Sequence, residues 1–550
     1  MTGLRWPRTV IELIRSHTMR TYRRWHRCLG VTLAVLLTVL LAAAVPSHAE
    51  TVLKVIPSAD IGQLDPDLAA NLIGRTYAQM VFDTLFALDH SMAPKPMMVE
   101  SEAVSPDRLT YRFTLRPALT FQDGSPVTTR DVIASLQHWM DNSSIGAQLK
   151  ARLASLTADD ARTFTLTLKQ PFGWVEFMLA GPGAPMAAIM RAADAERPAG
   201  TPLGDPVGSG PFRYVSNARV VGSRAVFERF AGYQSRPEPA DGLAGGRVVH
   251  VDRVEWNIIP DTTTAANALV TGEVDFWDTV SGDLTPFLRN HGIVVQRTTT
   301  LQSVGFLRPN FQLPPFNDPR AREALALLVS QPDYMQAVAG DNLKWRTCYS
   351  FSVCGSAFGT EAGSESYRNP NITRAKELLA EAGYHGERIV FVSTPQLPAL
   401  NALAQVAVAA LRQAGMNVDL QMGDWSVVFQ RINTPNKTLD QGGYNLFAST
   451  STGGTWFNPL TNIALDLSCQ AHNFAGFPCD PGGETLRQKA LSAADATAQV
   501  AAFGEFERYL WTFIPYVPLG QFDVDNAWRA NITGVPEGAF NAYWNIEKHE

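Results

Sequence analysis

At 550 residues, with 45% hydrophobic and 18% charged side chains, the chain holds material for several packed lobes of roughly 100–200 residues each, which excludes a disordered tail, a coiled coil and a disulfide-only miniprotein. One long apolar run, near the N-terminus, excludes a polytopic membrane protein. The net charge of −6 is unevenly placed: residues 1–49 carry seven arginines and one glutamate, and the rest carries 39 basic against 51 acidic groups, net −12. So acidic a body lacks the basic face that phosphate backbones require, which excludes nucleic acid as a partner.

Arg20, Arg23, Arg24 and Arg27 precede an apolar stretch from Leu29 to Val45, followed by Pro46 and Ser47-His48-Ala49. A basic segment, an apolar segment and a small-residue site together read as a secretory signal peptide over residues 1–49, giving a mature chain from near Glu50. The other reading is an uncleaved anchor, since the run approaches spanning length. Met19 stands just before the basic cluster and makes residues 1–18 a candidate upstream mis-start. Arg23-Arg24 invites a twin-arginine route, but Trp25-His26-Arg27 fits that pattern poorly and general secretion is expected. Cys28 precedes the apolar run, whereas a lipidated cysteine follows one.

Beyond the leader, 51–56 reads as a short buried strand, 57–66 as a loop and 71–86 as a helix. Alternation in 110–115 and 163–168 predicts half-exposed strands. Asp123-Gly124 marks a turn, and Thr128 or Thr129 caps a helix whose apolar face includes Val132, Ile133 and Leu136. A strand is expected at 251–259, then a helix capped by Asp261 and running through Val270. A strand at 389–391 leads into a helix with Leu403, Val406, Ala407, Ala410, Leu411 and Ala414 at helical spacing, closed by Gly415. Strands follow at 418–420 and 444–448. Strands alternating with helices predict an α/β protein with parallel sheets. Gly and Pro cluster at 181–210 and 236–246, read as surface loops.

Four cysteines remain after the leader, in two close pairs, Cys348/Cys354 and Cys469/Cys479. In an exported chain these read as disulfides, each pinning a local turn. The rival is metal, but neither pair has C-x-x-C spacing and His472 is the only histidine nearby. No nucleophile elbow, H-E-x-x-H, phosphate loop or dinucleotide fingerprint occurs. The histidines at 90, 138, 250, 291, 385, 472 and 549 stand singly. No enzymatic activity is expected.

Several stretches, in order, carry a resemblance. They are Leu64-Asp65-Pro66, the segment 81–86 (VFDTLF), 109–116 (LTYRFTLR), 121–128 (FQDGSPVT) with Asp131-Val132, Gly208-Ser209-Gly210-Pro211-Phe212, Gly272-Glu273-Val274-Asp275, 315–322 (PFNDPRAR) and 377–384 (ELLAEAGY). Together they resemble the family 5 solute-binding proteins of bacterial ABC importers, the group with the oligopeptide, dipeptide and nickel binders. The resemblance implies the two-lobed periplasmic binding protein fold with a hinge and an extra subdomain in lobe I. It places lobe I at 50–298 plus 517–550, the extra subdomain at about 75–205 and lobe II at 299–516. It implies a periplasmic monomer that closes on a peptide or peptide-like solute and hands it to an ABC permease in the inner membrane.

The resemblance also locates a cleft. In dipeptide-binding relatives a lobe II loop carries an aspartate that pairs with the ligand's ammonium group. Matching on Pro459 and Cys469 puts Thr455 there, beside Trp456 and Asn458. The relatives' carboxylate-binding arginine maps near Thr394, with Gln396 in place of an aromatic. With neither charged anchor at its position, a buried zwitterion would go unpaired at a cost of several kcal/mol. The expected ligand is therefore less charged at those points, or is held by backbone and aromatic groups. Trp425 and Trp456 are candidate stacking walls or, on the other reading, core. Asn458, Thr394 and Gln396 are candidate hydrogen-bonders, and Ser58, Ala59 and Asp60 match a loop that gives backbone contacts. Asp60 is the alternative replacement acid. No His, Met or Cys cluster stands on these loops, so no metal or cofactor is expected. The rival functions are a secreted enzyme on the same scaffold, or a peptide-binding sensor or chaperone-like protein uncoupled from import.

Overall fold

A computed structural model describes residues 50–68, 72–181, 185–198, 201–469, 475–493 and 495–550. The leader and His472 lie outside the described residues, as does Asn71, the expected first residue of its helix. Among the described residues no helix is long and apolar enough to cross a membrane.

Val52–Ile56 sits mid-sheet, its side chains largely buried on both faces. Its seven-stranded sheet runs in the order 212–214, 224–229, 253–257, 52–56, 276–277, 526–529, 293–296. Val52–Ile56 is parallel to Arg253–Asn257 and Phe276–Trp277, while the other pairs are antiparallel. The helix Thr262–Thr271 begins where the Asp261 carboxylate accepts from the Thr264 N–H. It ends at Gly272, whose φ of 81° needs a residue without Cβ.

A second, six-stranded sheet runs 345–346, 517–522, 303–309, 446–451, 388–393, 417–422. Arg388–Ser393 is parallel to Asn417–Met422 and to Leu446–Ser451. The helix Pro398–Gln413 makes the crossover and buries Leu400, Leu403, Ala404, Ala407, Val408 and Leu411. That stripe is turned from the expected one, leaving Val406 and Ala410 half-buried. Gly415 follows with φ 90°.

Four expectations are corrected. The sheets are mixed where parallel ones were expected: 224–229 runs antiparallel to 253–257 and 303–309 to 446–451, and the chain that returns late, through 517–522 and 526–529, also enters each sheet antiparallel. Val517–Phe522 pairs with Ser303–Pro309 in the second sheet, where the first lobe was expected to resume at 517. All six of its residues are buried, and lobe II would lose an inner strand without it. The helix expected to reach Phe86 stops at Val81. Asp83–Thr84 turns instead to pair with Ala188–Ile189, and the buried Asp83 carboxylate meets Arg247 Nη1 at 2.8 Å. The strand expected at 251–259 spans Arg253–Asn257.

The extra subdomain is a four-stranded antiparallel sheet in the order 99–104, 110–115, 163–168, 153–158. Its helix Thr129–Asn142 starts with a capping box between Thr128 and Asp131. Disulfides join Cys348 to Cys354 and Cys469 to Cys479.

The chain passes between the two large sheets at 297–302 and at 523–525. Asp523 Oδ1 ties these passages together, accepting from Arg297 Nη1 at 3.0 Å and from Gln302 Nε2 at 2.9 Å. Behind them Thr298 Oγ1 lies 2.6 Å from Asn526 Oδ1 and 2.8 Å from Asn541 Oδ1, all buried.

Candidate functional site

The lobes meet along a seam. On its lobe I side, the helix Leu72–Val81 carries one charged residue, Arg75. On the lobe II side, the chain leaves Leu446–Ser451 into the turn Gly453–Trp456. Arg75 Nη1 donates to Thr455 Oγ1 at 3.3 Å, and Thr455 Oγ1 is 2.8 Å from Thr452 Oγ1. The Arg75 guanidinium lies 4.2 Å from the centre of the Phe540 ring. Arg75 is 5% exposed, its Nε has no hydrogen-bond partner, and burial lowers its pKa to about 10. Glycines let the turn pack closely on both sides: a Cβ at Gly453 would meet the Gln302 carbonyl oxygen of the passage at 2.4 Å, and one at Gly454 would lie 3.3 Å from the Ala539 carbonyl oxygen beside Phe540.

Farther along the seam the extra subdomain presses on lobe II. The rings of Trp174 and Phe358 lie 5.7 Å apart, and those of Phe177 and Phe457 5.5 Å apart, edge to face. The Arg152 guanidinium donates to Gln488 Oε1.

The expected site residues fall into three groups. Thr455 lies on the seam. Its neighbours turn inward: Trp456 is 3% exposed, stacks on Phe306 with centroids 5.0 Å apart and donates from Nε1 to Tyr516 Oη at 2.8 Å. Asn458 is buried and folds on its own loop, Oδ1 accepting from the Leu460 and Thr461 N–H groups at 2.9 and 3.0 Å. The second group sits where the parallel strands Arg388–Ser393 and Asn417–Met422 end. Gln396 Oε1 accepts from the Trp425 N–H at 2.8 Å and its Nε2 donates to Asp424 at 3.1 Å, while Thr394 is buried and accepts from the Gln396 N–H. Trp425 is half-buried and packs on exposed Phe429.

The third group is the loop after the first strand. Ser58 and Ala59 are exposed, and the Ser58 N–H donates to the buried Asp278 carboxyl. Asp60 pairs with Arg219 Nη2 at 2.6 Å and accepts from the Gly222 N–H at 2.6 Å. Partial burial raises its pKa, but Arg219 and these N–H groups outweigh that and hold it below the usual range. Its charge is thus already paired within lobe I.

Arg75 was not among the expected residues. The signal for it was a single charge in an otherwise uncharged helix. Asp65, Asp67 and His138 also gather ligand atoms within 4.8 Å, but Arg197 already pairs with Asp65 Oδ2, the oxygen that His138 Nε2 approaches at 3.1 Å. The cluster is internal to lobe I, built on the Arg197–Asp65 ion pair.

Residues 93–474 match the family model described as bacterial extracellular solute-binding proteins, family 5 middle. The chain belongs to that family. It is 33% identical, over 89% of its length and 92% of the relative's, to a probable peptide ABC transporter periplasmic-binding protein, y4tO, of Sinorhizobium fredii. It is 26% identical to the glutathione-binding protein GsiB of Escherichia coli O1:K1 / APEC, over 94% of this chain and 98% of that one. Among solved structures it resembles AgaA of A. tumefacien R10 in complex with agropinic acid, with a TM-score of 0.76 and 23% identity over 91% of this chain and 99% of that one. The family frame is that of a two-lobed binding protein, and the seam lies where its lobes face one another.

Proposed function

We propose that this chain is the substrate-binding component of an ABC importer. It captures a peptide or peptide-like solute between its lobes and delivers it to an inner-membrane permease. Residues 1–49 direct it to the periplasm and are removed there, and it works as a monomer that binds without turnover. The observation that carries this reading is the seam: the chain runs between the two large sheets at 297–302 and 523–525, and a helix of one lobe meets a turn of the other at Arg75 and Thr455. Such a pair of lobes closes by bending at its passages. The ligand contacts belong to that seam and to the loop ends around Thr394, Gln396 and Trp425, while Trp456 and Asn458 hold the lobe II turn in shape.

A thermal-shift screen of the protein purified from periplasmic extract tests this, with di-, tri- and oligopeptides, opines, neutral amides, sugars and divalent metals as the panel. A ligand at about 100 times its Kd stabilises the folded state by about 2.7 kcal/mol. The expected outcome is a clear rise with peptides or peptide-like compounds. A rise confined to sugars or metals overturns the reading.

A further inference from the structure

We propose that the solute carries a carboxylate which lies against Arg75, and that Arg75 makes the site selective for acids over their amides. The inference rests on the solute-binding reading of the seam.

Arg75 is a fixed positive charge in a nearly closed space. It is 5% exposed, and no Asp or Glu side chain lies within ion-pairing distance of it among the described residues. Its contacts are one hydrogen bond to a neutral hydroxyl, Thr455 Oγ1 at 3.3 Å, and the face of Phe540. A guanidinium has five N–H donors in a planar fork, so most of its donor capacity is unused here, Nε included. The arginines buried more deeply differ, Arg322 among them, which donates to the carbonyls of Phe513, Phe316 and Asn317. Arg247 pairs with Asp83 at 2.8 Å, Arg487 with Glu484 at 3.0 Å, and Arg308 donates to the carbonyls of Ala464, Ala475 and Pro515.

Leaving one buried charge uncompensated costs several kcal/mol, and an anion entering from the ligand removes that cost. The guanidinium fork matches a carboxylate two bonds at a time. Its place explains why the anion must come from the solute. Arg75 is on lobe I and its one hydrogen-bond partner is on lobe II, so a carboxylate that takes up the fork's free donors is one held where the two lobes meet. An amide in the carboxylate's place would bring a second set of N–H donors against the fork.

The test uses a pooled tripeptide library as free acids and the same pool amidated at the C-terminus, against wild-type protein and the variants Arg75→Gln and Arg75→Lys. Wild type is expected to respond to the acid pool at concentrations at least tenfold lower than to the amide pool. Arg75→Gln is expected to lose that preference, its response to the acid pool falling at least tenfold to the level of its own amide response, and Arg75→Lys to keep part of it. Because no ion pair is broken, the ligand-free melting temperature of Arg75→Gln should be equal to or above wild type. Equal responses of wild type to both pools, or an unchanged preference in Arg75→Gln, would overturn this inference and leave the binding reading intact. If Arg75→Gln does not fold, an Arg75→Lys variant with no acid preference overturns it. Silence of wild type to both pools would overturn the inference and the peptide reading together.

Discussion

Trp456 lies against Phe306 on one face and hydrogen-bonds to Tyr516 at its edge, and Tyr516 Oη in turn lies within 3.0 Å of both Asn462 Nδ2 and the Phe351 carbonyl. A large ring so enclosed serves packing before recognition. Replacing Trp456 with Ala should therefore cost about 3–5 kcal/mol of folding stability, read as an earlier midpoint in urea. Trp456→Phe should cost less, losing the Nε1 bond but keeping the ring. A Trp456→Ala protein of wild-type stability and lost affinity would return this residue to the ligand. Between the two readings that sequence left open for this tryptophan, the stability of Trp456→Ala decides. Arg75 escaped the same reading because motif matching follows known anchor positions, and this charge stands on an element with none. Thr455 was legible through its neighbours Pro459 and Cys469, but its partner lies 380 positions away.

At the scale of elements, local chemistry carried well and long-range pairing did not. Asp261 and Gly272 bound their helix as their types dictate, and so does the Thr128–Asp131 box, because caps depend on residues within one turn. Strand direction depends on which segment returns beside which, and nothing local in Val517–Phe522 or Asn526–Arg529 encodes an antiparallel entry. The loop after the first strand shows how distant groups then shape a local element. Its Ser58 N–H is held by Asp278, a carboxyl whose burial raises its pKa to about 7 against the pull of Tyr543, Ser58 and Asn541; Tyr543 Oη donates to it at 2.7 Å. An acid with a folded-state pKa above its unfolded value of about 3.9 favours the folded state when protonated. Its contribution is thus fully favourable below about pH 4, declines as pH rises toward 7 and levels off above. Roughly three pKa units correspond to about 4 kcal/mol. Urea unfolding of wild type and Asp278→Asn between pH 4 and 8 should show the difference moving in the variant's favour by a few kcal/mol across that window. A difference independent of pH would mean that Asp278 ionises normally.

For the whole molecule the question is what sets the balance between open and closed lobes, since affinity is reduced by the fraction of protein not yet competent to bind. The seam contacts far from Arg75 act on that balance without touching ligand. Arg152 is fixed on its own side by Gln148 and by the face of Phe172, and its Nη2 reaches across to Gln488. In the closed arrangement Gln488 is what satisfies that donor; with the lobes apart, water does. Gln488→Ala therefore leaves a charged donor unpaired in the closed form alone, a penalty of about 1–3 kcal/mol. Affinity for any solute held between the lobes should fall by roughly tenfold at the middle of that range, mostly through faster release, with the ligand-free melting temperature little changed. The acid-over-amide preference should stay as in wild type, because Arg75 is untouched. Titration calorimetry with one responding peptide, in both its acid and its amide form, separates the effects: a uniform loss places Gln488 in closure, and a loss confined to the acid form would place it in recognition. Unchanged affinity for both forms would mean that this end of the seam stays open in the bound protein.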